Sequence, residues 1–376
     1  MALARKQSYP EILPSYGKSK SSVISYRCIT KRMSNKFYIY SFCLLLIAGC
    51  RLPFTLLTAQ DIHFSQLSET PLLINPGLTG VYDGYLRGIM NYRNQWPSMG
   101  KPYNTMMGSF DMPLLEGKLG AGAYFYSDKA GDTKFGTTQA NLSVSSIIQT
   151  QQESKLSFGL QFGFAQHSAN LSTIKWPNQY NGMSYDPGIA HNEAFNASSF
   201  GYFDMGAGMN YEFETTTGTI VGKDIFRFDA GAAFFHATMP KQRHYGNSSE
   251  KLYGRIIAHS TIRYDVPGTL VGIVPSFIYM MQGPASELNI GTLIRYKINQ
   301  GTKITNFSTE SAFSAGVHYR LKDAIVPQIY FEMSDFGIGV SYDINVSSYT
   351  GQKSTGAFEI SIKYASMRGA VRKPKI

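Results

Sequence analysis

Seven histidines, His63, His167, His191, His236, His244, His259 and His318, are the first residues to test for chemistry. A zinc or hydrolytic centre would set two of them close together with a carboxylate or thiolate nearby. No HxH, HExxH or Cys-paired spacing occurs among them. A serine hydrolase would need a Ser and a His brought together from separate segments, which spacing alone does not reveal. "DKAGD" (128–132) resembles a fragment of a calcium loop but lacks the remaining ligand positions, so it reads as a polar turn. Gly206-Ala207-Gly208 and Gly337-Ile338-Gly339 lie inside strand-like runs with no helix expected after them, so they are not dinucleotide loops. Close backbone approach accounts for them better. "NYRNQW" (91–96) interleaves aromatics with amides and an arginine. Sugar stacking would need those groups to converge, whereas a strand sends alternate residues to opposite faces. No catalytic residue, cofactor site or metal site is expected, and the chain reads as a non-enzyme.

The elements that position these residues follow from composition and periodicity. A chain of 376 residues could hold two or three soluble domains or one large barrel. Glycine is abundant at 36, aromatics reach 14%, and charged residues fall to 16% against a usual value of about 25%. No apolar run long enough for a membrane helix occurs after residue 60. The net charge of +10 sits at the front: residues 1–59 carry nine Lys/Arg against Glu11 alone, and the remainder is close to neutral. No nucleic-acid partner is therefore expected.

Residues 1–59 read as a signal peptide with an upstream extension. "FYIYSFCLLLIAGC" (37–50) is an apolar core preceded by Lys36, and Ala59 offers a small residue for cleavage. Met33 is then the expected natural start and residues 1–32 an over-extended reading frame, a true cytoplasmic extension being the alternative. "IAGC" (47–50) resembles a lipobox, yet Arg51 and further signal-like residues lead to the better site near Ala59–Gln60. All three cysteines, Cys28, Cys43 and Cys50, precede that site, so the mature chain has no disulfide framework.

Beyond residue 84 the apolar pattern has period two. In "DFGIGVSYDIN" Phe336, Ile338, Val340, Tyr342 and Ile344 share one face, while Gly337, Gly339, Ser341 and Asp343 share the other. "FDMGAGMNYEF" (203–213) and "LSFGLQFGF" (156–164) repeat it. Fourteen such segments are expected, at 85–96, 103–114, 118–128, 134–149, 155–169, 200–214, 225–238, 252–266, 270–283, 286–298, 311–321, 324–334, 336–345 and 356–364. Most have the length of tilted transmembrane strands. One face is apolar and aromatic, the other too polar for a soluble core. The expected fold is all-β: a single antiparallel transmembrane β-barrel of about 14 strands in the outer membrane, over residues 85–364. Residues 60–84 precede it as an N-terminal periplasmic or plug-like segment, and 365–376 follow as a basic C-terminal tail.

Strand parity assigns Arg87, Asn91, Arg93, Gln95, Asp204, Asn210, Asn289 and Arg295 to the lumen as candidate partner-binding groups. It sends Tyr92 and Trp96 to the lipid face as candidate membrane-interface anchors. With β-strand one starting in the periplasm, the long connections 170–199, 239–251 and 346–355 face outward, and "EGK" and "PGT" are short periplasmic turns. Connections 215–224 and 299–310 are longer than that rule predicts.

"DIHFSQ" (61–66), "INPGLTG" (74–80), "NYRNQWPSM" (91–99), "SFDMPLLEGKLGAGAYFYSDKAGD" (109–132), "YFDMGAGMNY" (202–211), "PSFIYMMQGPASELNIG" (275–291) and "GIGVSYDINVSS" (337–348) together resemble the PorP/SprF family of type IX secretion membrane proteins of Bacteroidota. The resemblance runs in order from about residue 61 to 364. It implies a fourteen-stranded outer-membrane barrel that supports secretion or surface attachment of proteins with a C-terminal sorting domain, in some organisms gliding adhesins. It also implies periplasmic secretion components or lipoproteins as partners, alongside membrane lipid, and no enzymatic activity. The chain departs from the family's more usual NPALAG at "INPGLTG", where Gly77 is expected to loosen the turn, and in the tail that follows Tyr364. The alternating pattern fits a passive porin or hydrophobic-solute channel equally well, because alternation reports the membrane and not the cargo. An outer-membrane lipid hydrolase is the third reading.

Overall fold

A computed structural model describes residues 61–97, 102–131, 133–170, 174–190, 199–218, 223–241, 251–299, 311–346 and 356–366. The export segment with its cysteines, His191, His244 and residues 367–376 lie outside the described residues. Fourteen strands form the wall: β1 (Leu86–Gln95), β2 (Tyr103–Leu114), β3 (Leu119–Ala130), β4 (Phe135–Gln151), β5 (Ser154–Ser168), β6 (Ser199–Gly218), β7 (Lys223–Phe235), β8 (Arg255–Asp265), β9 (Val271–Gln282), β10 (Ala285–Asn299), β11 (Ser311–Arg320), β12 (Ala324–Met333), β13 (Phe336–Asn345) and β14 (Ala357–Ser366). Each pairs antiparallel with its chain neighbours, and β1 closes the sheet on β14 from Leu86↔Ser366 to Gln95↔Ala357. Closure leaves no strand edge with unpaired backbone, the condition that lipid imposes on a spanning sheet.

The predicted alternation holds along the wall. In β5 Phe158, Leu160, Phe162 and Phe164 are exposed while Ser157 and Gln161 are buried. In β13 Ile338, Tyr342 and Ile344 are exposed while Ser341 and Asp343 are buried. A soluble monomer rarely shows an apolar patch beyond a few hundred Å². Here every strand contributes to one, so the wall's outer solvent is hydrocarbon.

Most strand boundaries fall within one or two residues of the sequence reading, β8 begins at Arg255 rather than 252, and two differences have a local reason. The connection expected at 215–224 is largely strand: β6 continues to Gly218, which pairs with Lys223 of β7. Thr215, Thr216 and Thr217 carry no apolar alternation, yet β-branched side chains suit a pleated strand. β7 ends at Phe235 rather than 238, because His236 takes a left-handed φ of 58°.

Residues 61–85 form no strand. They fold into three short turns, Leu67–Glu69, Pro71–Ile74 and Pro76–Leu78, the last two opened by proline at the first helical position. Residues 61–81 lie inside the barrel, and Asp83 and Tyr85 are exposed at its rim. Phe64, Leu72 and Leu73 pack with inward-facing Met107, Tyr124 and Tyr126, and Ile74 packs with Ala233, Phe235, Ile257, Ile278 and Met280. A fourteen-stranded barrel is wider than the eight-stranded kind that side chains alone can fill. This segment takes up the difference.

Candidate binding site in the barrel lumen

The lumenal segment runs from one rim to the other, and the wall holds it at four levels. At the rim of the long connections Asp61 meets His236 Nε2, lies 3.4 Å from Arg255 Nη1, and donates its backbone N–H to Gln282 Oε1 at 3.0 Å. One level in, Ser65 and Gln66 meet β1, β12, β13 and β14. Midway, Asn75 Nδ2 donates to the Met209 carbonyl at 2.9 Å, and its Oδ1 accepts the Gly77 N–H at 2.7 Å. Near the opposite rim Gly80 N–H donates to Asp111 Oδ2 at 2.7 Å, and the Thr79 carbonyl accepts from Ser145 Oγ at 2.6 Å. Asp83, 2.7 Å from Arg227 Nη2, closes the path.

Gly77 does not loosen its turn. A Cβ there would stand about 3.0 to 3.2 Å from Asn75 Oδ1 and the backbone of Met209 and Asn210, so glycine permits a close fit. Wall glycines make the same allowance. A Cβ on Gly120 would come within 2.1 Å of the Thr79 carbonyl, and one on Gly159 within 2.1 Å of the Pro76 carbonyl.

The sequence-derived lumen residues all face inward by register, but they do not form one site. Arg87 clamps Asp111 with two bonds of 2.9 and 2.7 Å and stacks over Tyr82. Arg93 is buried, donating to Ser65 Oγ at 2.8 Å and pairing with Asp343 at 2.8 Å and Glu359 at 3.3 Å. Gln95 lies half-buried at the end of β1. Asp204 stands 3.0 Å from His236 Nδ1, and Asn210 donates to Asp229 at 2.7 Å beside the Asn75 contact. Asn91 and Asn289 are buried, and neither side-chain amide has a hydrogen-bond partner among the described residues. Arg295 pairs with Glu332 at 2.8 Å. On the outer face the Tyr92 hydroxyl donates to Asn104 at 3.0 Å; Trp96 lies one residue beyond β1 with a φ of 57°, and meets edge-on at 5.5 Å the ring of Tyr103, which pairs with inward-parity Gln95.

The residues that converge with Arg93 were not singled out by sequence: Arg320, Gln328, Asp343, Glu359 and Ser361, with Ser65 and Gln66 at their centre. The density of motif residues in 61–80, a stretch with no strand period, was the available signal.

Ser276 Oγ and His318 Nε2 are 2.7 Å apart, a pairing across β9 and β11 that spacing could not show. His318 Nδ1, however, has no hydrogen-bond partner among the described residues, so no carboxylate orients the ring. No group of three or more His, Cys, Asp or Glu among the described residues is arranged to hold a metal ion.

Several solved outer-membrane barrels are similar in outline. The toluene transporter TbuX of Ralstonia pickettii is 8% identical with a TM-score of 0.40, covering 79% of this chain and 94% of that one. A FadL homologue of Pseudomonas aeruginosa is 10% identical with a TM-score of 0.40, covering 77% and 92%. BamA of Haemophilus ducreyi is 6% identical with a TM-score of 0.37, covering 75% and 70%. No curated protein sequence matches the chain. The family model described as type IX secretion system membrane protein PorP/SprF matches residues 56–364, the lumenal segment and the barrel to within two residues of the end of β14. The chain is an outer-membrane β-barrel and belongs to the PorP/SprF family of type IX secretion system membrane proteins.

Proposed function

We propose that this barrel holds a secreted protein with a C-terminal sorting domain during export or at the cell surface, and that it works with periplasmic components of the same machinery. The observation that carries the reading is the family match along residues 56–364, in a family of secretion-system membrane components and not of enzymes. The filled lumen supports it against the solute-channel reading, since residues 61–83 bond to the wall from one rim to the other. The short-turn rim faces the periplasm and the long-connection rim the cell surface, as loop lengths in outer-membrane barrels indicate. Export through the signal segment, lumenal recognition by Arg93 and its neighbours, and interfacial anchoring by Tyr92 and Trp96 belong to the same reading.

A tagged full-length barrel, solubilised from native membranes, is expected to bring down a secreted protein bearing a sorting domain together with type IX components. Recovery of the barrel alone under mild detergent would overturn the reading.

A further inference from the structure

We infer that the barrel wall carries a peptide-recognition site for an aromatic–serine–glutamine segment. It is formed by Arg93, Gln328, Asp343, Glu359 and Ser361. Phe64, Ser65 and Gln66 fill it in cis, and another chain with the same pattern fills it in trans.

Every polar group of Ser65 is engaged by the wall. Its N–H donates to Glu359 Oε2 at 2.7 Å, and its carbonyl accepts from Gln328 Nε2 at 2.9 Å. Its hydroxyl donates to Asp343 Oδ1 at 2.7 Å and accepts from Arg93 Nη1 at 2.8 Å. Gln66 is read as fully. Its N–H donates to Glu359 Oε1 at 2.9 Å, its side-chain amide donates to the Glu359 carbonyl at 3.2 Å, and its Oε1 accepts from Ser361 Oγ at 2.6 Å. Phe64 enters the apolar pocket that Met107, Tyr124 and Tyr126 offer from the wall.

Three physical features make this a recognition site and not incidental packing. One fully buried carboxylate, Glu359, takes two successive backbone amides, a grip that fits an extended peptide and ignores its side chains. Selectivity then comes from the neighbours. A residue without a hydroxyl at the Ser65 position would leave Asp343 and Arg93 each short of a bond, and buried polar groups left unmade are costly. The amide of Gln66 has its donor and its acceptor fixed by different partners, so glutamate satisfies only part of the set and leucine none of it.

The polar partners of Ser65 and Gln66 belong to the wall: they lie on β1, β12, β13 and β14, with Arg320 of β11 3.3 Å from the Ser65 hydroxyl, while the Phe64 pocket joins Met107, Tyr124 and Tyr126 of β2 and β3 to Leu72 and Leu73 of the segment itself. Sequence separations of 263 to 295 residues divide Ser65 and Gln66 from Gln328, Asp343, Glu359 and Ser361. The segment is therefore a tethered ligand, linked to β1 through residues 67–85. A short tether holds its ligand at an effective concentration of about millimolar, so a free chain enters once the cis copy is weakened. The inference rests on the proposed reading that the lumen receives a segment of a secreted client.

The test uses the full-length mature chain carrying Ser65→Val and Gln66→Leu, refolded from denaturant into detergent with a fluorescent peptide of residues 61–70. Saturable one-to-one capture is expected, about tenfold or more tighter than capture of the same peptide bearing both substitutions. The unmodified barrel, with its site filled, and the variant further changed by Gln328→Leu should both capture about tenfold less. Equal capture of the two peptides, or of neither, overturns the inference. So does a failure of the variant to refold with the peptide present, since the peptide restores each missing contact; the milder Gln66→Leu chain serves as a second host. The readout needs no client. If no secreted protein co-purifies from native membranes, the attachment reading falls while the recognition site stands.

Discussion

His236 sits one residue beyond β7, at the rim where the lumenal segment begins, with Asp61 on one ring nitrogen and Asp204 3.0 Å from the other. Burial pushes its pKa down, but the charge of Asp61, the hydrogen bond to it and the Asp204 carboxylate 3.0 Å from the other ring nitrogen outweigh that and raise it to about 9 from 6.5. Arg255 and Gln282 also face Asp61, and Gln139 faces Asp204, so the imidazolium is one member of a closed set. A group with a raised folded pKa stabilises fully below its unfolded value and loses that stabilisation as the pH climbs through the folded one. The window is therefore pH 6.5 to 9, and the contribution is about 3 kcal/mol at most. Amide exchange of residues 61–66, corrected for intrinsic rates, is expected to quicken across that window, and His236→Gln should remove the dependence. A profile that stays flat in the unmodified chain would show that His236 does not fasten the segment. Glycines supply a second residue-level test. Gly159→Ala forces a Cβ to within 2.1 Å of the Pro76 carbonyl, whereas Gly108→Ala on the outer face meets nothing within 4 Å. The first should cost about 1 to 3 kcal/mol in denaturant unfolding, the second less than about 0.5 kcal/mol. Equal effects would mean that the lumenal contact contributes nothing.

At the scale of elements, the strands were legible because lipid and lumen impose period two, and β5 and β13 show it without exception from Leu156 to Phe164 and from Phe336 to Ile344. The lumenal segment was not legible, because its short proline-led turns carry neither period. Its presence also explains the strand residues that break the inward polar rule. Met107, Ile257 and Ile278 face the lumen yet are apolar, and they pack against Phe64 or Ile74. The candidate site divides in the same way. Parity found Arg87, Arg93, Asp204 and Asn210 as inward polar groups. It offered no reason to prefer Glu359 or Asp343 until Ser65, 294 and 278 residues away, was seen between them. The outward face has its own test. Leu160 is exposed near the middle of β5, so Leu160→Arg should cost about 2 to 4 kcal/mol in refolding into bilayers, whereas Phe336→Arg at a strand end should cost about 1 kcal/mol or less. Equal costs would mean that the wall does not meet lipid along its whole height.

For the whole molecule, the decisive property is that a barrel wide enough to conduct encloses part of its own chain. Porins of sixteen to eighteen strands leave an aqueous channel, and fourteen strands leave less room. Here that room holds two apolar clusters and an ionic group of Arg93, Arg320, Asp343 and Glu359 closed around Ser65. Removing a partner from such a buried group is costlier than never having built it, so the segment and wall are matched. Purified full-length protein in planar bilayers is therefore expected to show no large steady conductance. Asp61→Ala combined with Ser65→Val removes the rim anchor and the central contact together, and it should produce frequent openings at the same protein density. A steady, porin-like conductance from the unmodified chain would return the solute-channel reading, because ions could then pass a segment that the contacts hold in their path.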